Sequence, residues 1–147
     1  MMSRLFHCLA TLSLLVFSLP LFAAVLQVSI TGIDVASGGH IMIGVYESQA
    51  TFLKDDGRIA EARLSVSKAK AGIITAQFEL PVGKTYAVAA YHDANDNKKL
   101  DENFFGIPQE GYGCTNNARG TFGPPSFDDA AILLNQENQL TSFYLSY

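Results

Sequence analysis

Between His92 and Asn103 the chain reads HDANDNKKLDEN, a run of carboxylates and carboxamides at alternating places. Counted from Asp93, oxygen-bearing side chains fall first (Asp93), third (Asn95), fifth (Asn97) and ninth (Asp101), with Lys99 seventh and able to offer its main-chain carbonyl. This is the rhythm of a calcium loop, in which a curled backbone gathers about six to eight oxygens around a hard cation. Lys98 stands sixth, where such loops carry glycine, and Phe104 twelfth, where they carry a bidentate glutamate. Asp96, Glu102 or Glu110 could complete the shell instead. The competing reading needs no metal: Asp and Asn at a strand end bond their own backbone and cap a turn. Zinc is disfavoured, because His92 and Cys114 are the only soft candidates nearby.

Two further chemistries can be drawn from the same region. A hydrolase would use Cys114 as nucleophile, His92 as base and an acid such as Asp93 to orient the ring. Adjacent strand residues point to opposite faces, however, so Asp93 is badly placed to orient His92. His92 shares its face with Tyr86, Val88 and Ala90, which suits a buried structural histidine, and Cys114 suits a small buried side chain. The other chemistry is recognition. Long aromatic loops at the end of a β domain form binding surfaces, and His92, Phe104, Tyr112, Asn116 and Asn117 are candidates for a ligand-facing surface. Phe104, Phe105 and Tyr112 could stack on a sugar or grip a peptide, while Phe105, Phe122 and Phe127 are expected to close the core beneath the loop.

The elements that must position these residues read as strands. Leu26, Val28 and Ile30 alternate with polar neighbours, as do Ile41, Ile43 and Val45, then Ala62, Leu64 and Val66, then Ile74, Ala76, Phe78 and Leu80. TYAVAAYHD, ending at Asp93, is apolar on both faces and reads as a central strand. AAILLN and TSFYLSY follow, the latter with Phe143 and Leu145 inward. These seven strands predict an all-β, antiparallel β-sandwich with an immunoglobulin-like or transthyretin-like Greek key. One connection, Asp93 to Asp128, is far longer than strands ordinarily need. Its aromatic residues and glycines predict an ordered loop rather than a disordered one.

The first 23 residues have Arg4 as their only charge, an apolar stretch from Leu9 to Phe17, then Pro20 and Ala23. They read as a cleaved secretory signal, followed by one domain over 24–147 and an exported product, periplasmic or secreted. No stable membrane span is expected after cleavage, since Pro20 interrupts a segment already short of about 20 apolar residues. Of the 10 basic residues Arg4 lies in the leader, leaving nine against 14 acids, a balance that argues against nucleic acid. Residues 24–92 carry six acids and six bases, whereas 93–129 carry seven acids and three bases. The negative charge is thus gathered in the long loop, and would suit a cation.

The run from Leu80 to Ala130 resembles the bacterial domain of unknown function 2141 family. The resemblance rests on His92, Asp93, Asn95 and Asn97, then Leu100 and Asp101, Phe105, Gly106 and Pro108, Tyr112 and Gly113, Asn116 and Asn117, and Gly123, Pro124, Pro125 and Phe127. Lys98 departs from it, standing where the family often has glycine. The resemblance implies an exported β-sandwich and supplies no activity, ligand or catalytic residue. The residues themselves favour a non-enzymatic binding module with an acidic loop that is a candidate for calcium, and a peptide, a glycan or an envelope component as partner. The alternatives are a structural envelope protein whose loop is held by Asx turns without metal, and a hydrolase using Cys114 and His92.

Overall fold

The computed structural model describes residues 23–147, so the expected leader lies outside the described residues except for Ala23. Alternation of apolar and polar side chains becomes β1 (Ala23–Thr31), β2 (His40–Tyr46), β3 (Ala60–Ser65), β4 (Ile74–Pro81), β5 (Thr85–Asp93), β7 (Ile132–Leu133) and β8 (Asn138–Tyr144). An eighth strand, β6 (Tyr112–Cys114), lies inside the long connection, and a one-turn helix α1 (Phe127–Ala130) closes that connection. The strands form two sheets, ordered β4-β1-β8 and β3-β2-β5-β6, with β7 on β5. Leu26, Val28 and Ile30 of β1, Ile74 and Phe78 of β4 and Phe143 of β8 meet Ile41, Ile43, Val45, Tyr86 and Val88 from the other sheet in one apolar core.

Two expectations need correction. There are eight strands rather than seven, because β6 spans only Tyr-Gly-Cys and shows no readable alternation. The pairing is not wholly antiparallel either, for β8 runs parallel to β1 with Val28 opposite Thr141 and Ile30 opposite Phe143. Alternation dictates which face a side chain takes, not the direction of the neighbouring strand. Hairpin turns dictate direction locally, but β1 and β8 are the first and last described strands and share no turn.

The central strand β5 is buried on both sides, as its composition implies. Its inner residues Tyr86, Val88 and Ala90 enter the main core. On its outer side Ala87 joins a second cluster with Tyr46, Phe52, Cys114, Phe127 and Ala130. The later half of the long connection therefore folds back over the second sheet and gives β5 its second cover. Among the described residues no helix is long and apolar enough to cross a membrane.

The register of β8 places Phe143 inward at 2% exposure and Leu140 outward at 67%. Phe143→Ala should therefore cost about 3–5 kcal/mol in denaturant unfolding. Leu140→Ala should stay within about 0.5 kcal/mol of the parent. Equal losses at both positions would contradict this register.

Candidate functional site

The end of β5 delivers two buried polar side chains to opposite faces of its sheet. His92, on the inner face, is 1% exposed and Asp93, on the outer face, is 0% exposed. His92 Nε2 lies 2.6 Å from the carbonyl oxygen of Gly38, which requires a proton on that nitrogen. Nδ1 then accepts from the Tyr147 hydroxyl at 2.7 Å, and the same hydroxyl oxygen accepts from the Asp34 amide at 3.0 Å. Burial pushes the Tyr147 phenol above its ordinary value, which keeps it a donor. Two glycines make this closure geometrically feasible. A Cβ on Gly39, where φ is +74°, would fall 2.2 Å from the Asp93 carbonyl oxygen, and one on Gly111 would meet the Tyr147 ring at 2.5 Å.

Asp93 organises the loop that follows. Its Oδ1 accepts from the Asn97 amide and its Oδ2 from the Lys98 amide, both at 3.0 Å. Asn95 Oδ1 also accepts from the Asn97 amide at 3.1 Å, and Asn97 Oδ1 from the Lys99 amide at 2.8 Å, each an Asx-type turn. Both carboxamide nitrogens then converge on one carboxylate: Asn95 Nδ2 donates to Asp101 Oδ2 at 2.6 Å and Asn97 Nδ2 to Asp101 Oδ1 at 2.8 Å. Glu110 fastens the far side, accepting from the Ala94 amide at 3.0 Å and the Asp101 amide at 3.1 Å. Four of the expected calcium ligands, Asp93, Asn95, Asn97 and Asp101, are thus brought together, with Lys99 joined to them through its amide. For a cation to sit among them, both carboxamides would have to turn over and present oxygen where they now present N–H. Among the described residues no three His, Cys, Asp or Glu side chains are grouped to hold a metal ion.

The curl has a backbone signature. Asp96 and Lys98 have φ of +61° and +65°, in the left-handed region. Lys98 therefore adopts a conformation that glycine would adopt with less strain at this place. Asp96 is turned outward, where its Oδ1 meets His40 Nδ1 at 2.5 Å and Arg63 Nη2 at 2.9 Å. The hydrogen bond from His40 leads in holding the Asp96 carboxyl below its ordinary range.

Beyond Asp101 the chain makes a small projecting finger. Gln109 donates to the Asp101 carbonyl at 2.8 Å and Asn103 to the Ile107 carbonyl at 2.9 Å, with Glu102 bridged to Pro108. At the tip Asn103 Oδ1 accepts from the Phe105 amide at 2.9 Å and the Ile107 amide at 3.1 Å, and Gly106 donates to the Asn103 carbonyl. This hydrogen-bonded turn holds Phe104, Phe105 and Ile107 in solvent at 97%, 83% and 58% exposure, the two phenyl rings edge to face. Phe127 closes the core as expected, but Phe105 and Phe122 do not: both stand exposed. The outer face of the second sheet is already filled by Tyr46, Phe52 and Phe127, and the bonds at the finger's base carry Phe105 away from it.

The remaining candidates are dispersed. Tyr112 and Tyr144 flank the Arg119 guanidinium, 5.6 and 5.1 Å from their ring centres. Asn116 and Asn117 take left-handed φ and serve the backbone. Asn116 Nδ2 donates to the carbonyls of Asp129 and Ala131, and Asn117 Oδ1 accepts from the Tyr144 amide. His92, Phe104, Tyr112, Asn116 and Asn117 do not form one surface, since His92 is buried and the two asparagines bind neighbouring main chain. Cys114 is buried in the outer cluster, and burial pushes its thiol up to about 11. Cys114 pairs opposite Ala89, so the sheet itself separates its side chain from the inward ring of His92. Sequence reasoning missed Thr115, Tyr147 and Asn103. Thr115 Oγ1 donates to the Ala130 carbonyl and accepts from the Val88 amide, tying the connection to β5. Only Asn103, an asparagine ahead of Phe-Phe-Gly, carried a local signal for its role.

No curated protein and no solved structure matches the chain. The model of one family, described as uncharacterised protein conserved in bacteria and numbered domain of unknown function 2141, matches residues 28–142. That span begins within β1, ends within β8 and contains the whole Asp93 loop and finger. The chain belongs to this family of uncharacterised bacterial proteins.

Proposed function

We propose that this protein is an exported, non-enzymatic β-sandwich module that binds a partner through the finger of its long loop. The observation that carries the reading is the pair Phe104 and Phe105, held in solvent by a turn in which the amides of Phe105, Gly106 and Ile107 are bonded to Asn103. Ordinary surface loops do not use rigid geometry to present two adjacent phenyl rings, and aromatic anchors on a preordered loop lose little entropy on binding. The leader expected in residues 1–23 supports export. The position of Cys114 and His92 on opposite faces of a sheet, with the thiol raised rather than lowered, supports the absence of thiol catalysis.

In this reading the loop is held by its own side chains, Asp93, Asn95, Asn97, Asp101 and Glu110. A second reading places calcium among the first four and the Lys99 carbonyl. It is favoured by the left-handed Lys98, which reproduces the curl that a calcium loop needs at its sixth place.

Two outcomes are expected. Phe104→Ser with Phe105→Ser should leave the melting temperature within about two degrees, because neither ring is buried. The same protein should fail to restore a strain lacking the native copy, in an assay where the parent does; full restoration would contradict a recognition finger. Alkylation of Cys114 in the folded protein at pH 8 should run about ten-fold or more slower than that of free cysteine, since a thiol near 11 holds little thiolate there. Rapid alkylation at neutral pH would instead revive the nucleophile.

A further inference from the structure

We propose that β8 is a self-association edge: a second copy of this chain lays its own β8 antiparallel against it, centred on Leu140, and joins two β4-β1-β8 sheets into one. The edge is read from the main chain. Leu145 donates to the Thr31 carbonyl, so odd-numbered residues of β8 turn their amides and carbonyls toward β1 and even-numbered ones turn theirs away. From Tyr144 onward the outward side is taken: the Tyr144 amide donates to Asn117 Oδ1, and Ser146 and Tyr112 each donate to the other's carbonyl. Before it, the outward amides and carbonyls of Asn138, Leu140 and Ser142 meet no partner among the described residues, and all three residues are exposed. Other long edges carry residues that discourage strand addition, Glu61 and Arg63 on β3 and Glu79 and Pro81 on β4. β8 reads NQLTSFY, without charge or proline, and Leu140 stands in solvent at the middle of its open stretch.

The pattern of open positions selects the occupant. Asn138, Leu140 and Ser142 are symmetric about Leu140, so an antiparallel copy sets Asn138 opposite Ser142 of the second copy and Leu140 opposite its own counterpart. Each of these pairs exchanges two hydrogen bonds, and every open group on both edges is used. Sliding the second copy by two residues toward the end of β8 would bring in Tyr144, whose amide is already bonded. The two exposed leucines cover each other on the outer face, as directly opposed residues of neighbouring strands do. A peptide from another protein could add to this edge, but it would make no use of the two-fold symmetry. Charge agrees: acids outnumber bases in the chain, and two copies meet at this strand without opposing like charges. One pair of short strands falls below the roughly 1,200 Å² of a stable interface, so the dimer is weak and concentration-dependent.

Sedimentation of the protein, purified in the form that cells make, should show a monomer–dimer equilibrium that shifts toward dimer up to millimolar concentration. Leu140→Lys opposes two ammonium groups at the centre of the pair and should weaken association about ten-fold or more. Its melting temperature as a monomer should stay within about two degrees of the parent, because Leu140 is exposed in the single chain. Directly opposed residues of this kind lie about 5.5 Å apart between Cα atoms, within disulfide reach. Leu140→Cys should therefore give a disulfide-linked dimer under mild oxidation. Gln77→Cys, at the middle of the outward positions of β4, should not, and Cys114 is buried. Phe104→Ser with Phe105→Ser should associate as the parent does. A monomer at every concentration would overturn the proposal, as would association that Leu140→Lys leaves unchanged. Linking at Gln77→Cys as fast as at Leu140→Cys would overturn it too, and so would loss of the dimer on removing the two phenyl rings, which would move the contact to the finger.

Discussion

A carboxylate buried at the end of the central strand is the constraint on which the long loop depends. Asp93 has no exposed surface, and removing a carboxylate from water costs several kcal/mol unless donors replace the lost hydration, an effect of about the size set by charged hydrogen bonds. The donors come from the chain just beyond it, the amides of Asn97 and Lys98. Bringing those amides back onto Asp93 forces the left-handed turns at Asp96 and Lys98, and these set the direction in which the chain leaves the sheet. Asn95, Asn97 and Glu110 then gather Asp101, which anchors one strand of the finger. The exposed phenyl pair is thus the far end of a chain of bonds that begins with one buried acid.

The same strand end is closed from its other face by a histidine. His92 binds the Gly38 carbonyl and the Tyr147 hydroxyl, so three distant parts of the chain meet at one ring. Gly39 permits the start of β2 to press against the Asp93 main chain, and Gly111 permits Tyr147 to lie close over the connection. The polar residues best suited to chemistry by type therefore serve architecture. At the tip of the finger it is Phe104, Phe105 and Ile107 that face solvent, on a turn fastened by the Asn103 side chain.

Much of this was legible in the sequence, and the reasons differ by element. Strict alternation named the strands around Val28, Ile43, Phe78 and Phe143, and two-sided apolarity marked β5 as central. The spacing of Asp93, Asn95, Asn97 and Asp101 located the convergence of side chains, because short polar groups at alternate places must meet when the backbone curls. It did not distinguish a cation from amide donors, since both are satisfied by the same oxygens. The parallel neighbour of β1 was hidden because strand direction is a long-range property. Phe105 and Phe122 were misplaced because composition says that a phenylalanine prefers cover, whereas for Phe105 the bonds at Asn103 and Asp101 dictate where the side chain can go.

The central claim is that the loop is ordered by its own side chains, and amide hydrogen exchange tests it most directly. After exhaustive chelation, the amides of Asn97, Lys98 and Asp101 should exchange slowly, because each donates to a carboxylate in the folded protein. Added calcium should leave their protection unchanged. Rapid exchange at these three amides in the chelated protein, restored to slow exchange by calcium, would contradict the account and assign the loop to the metal.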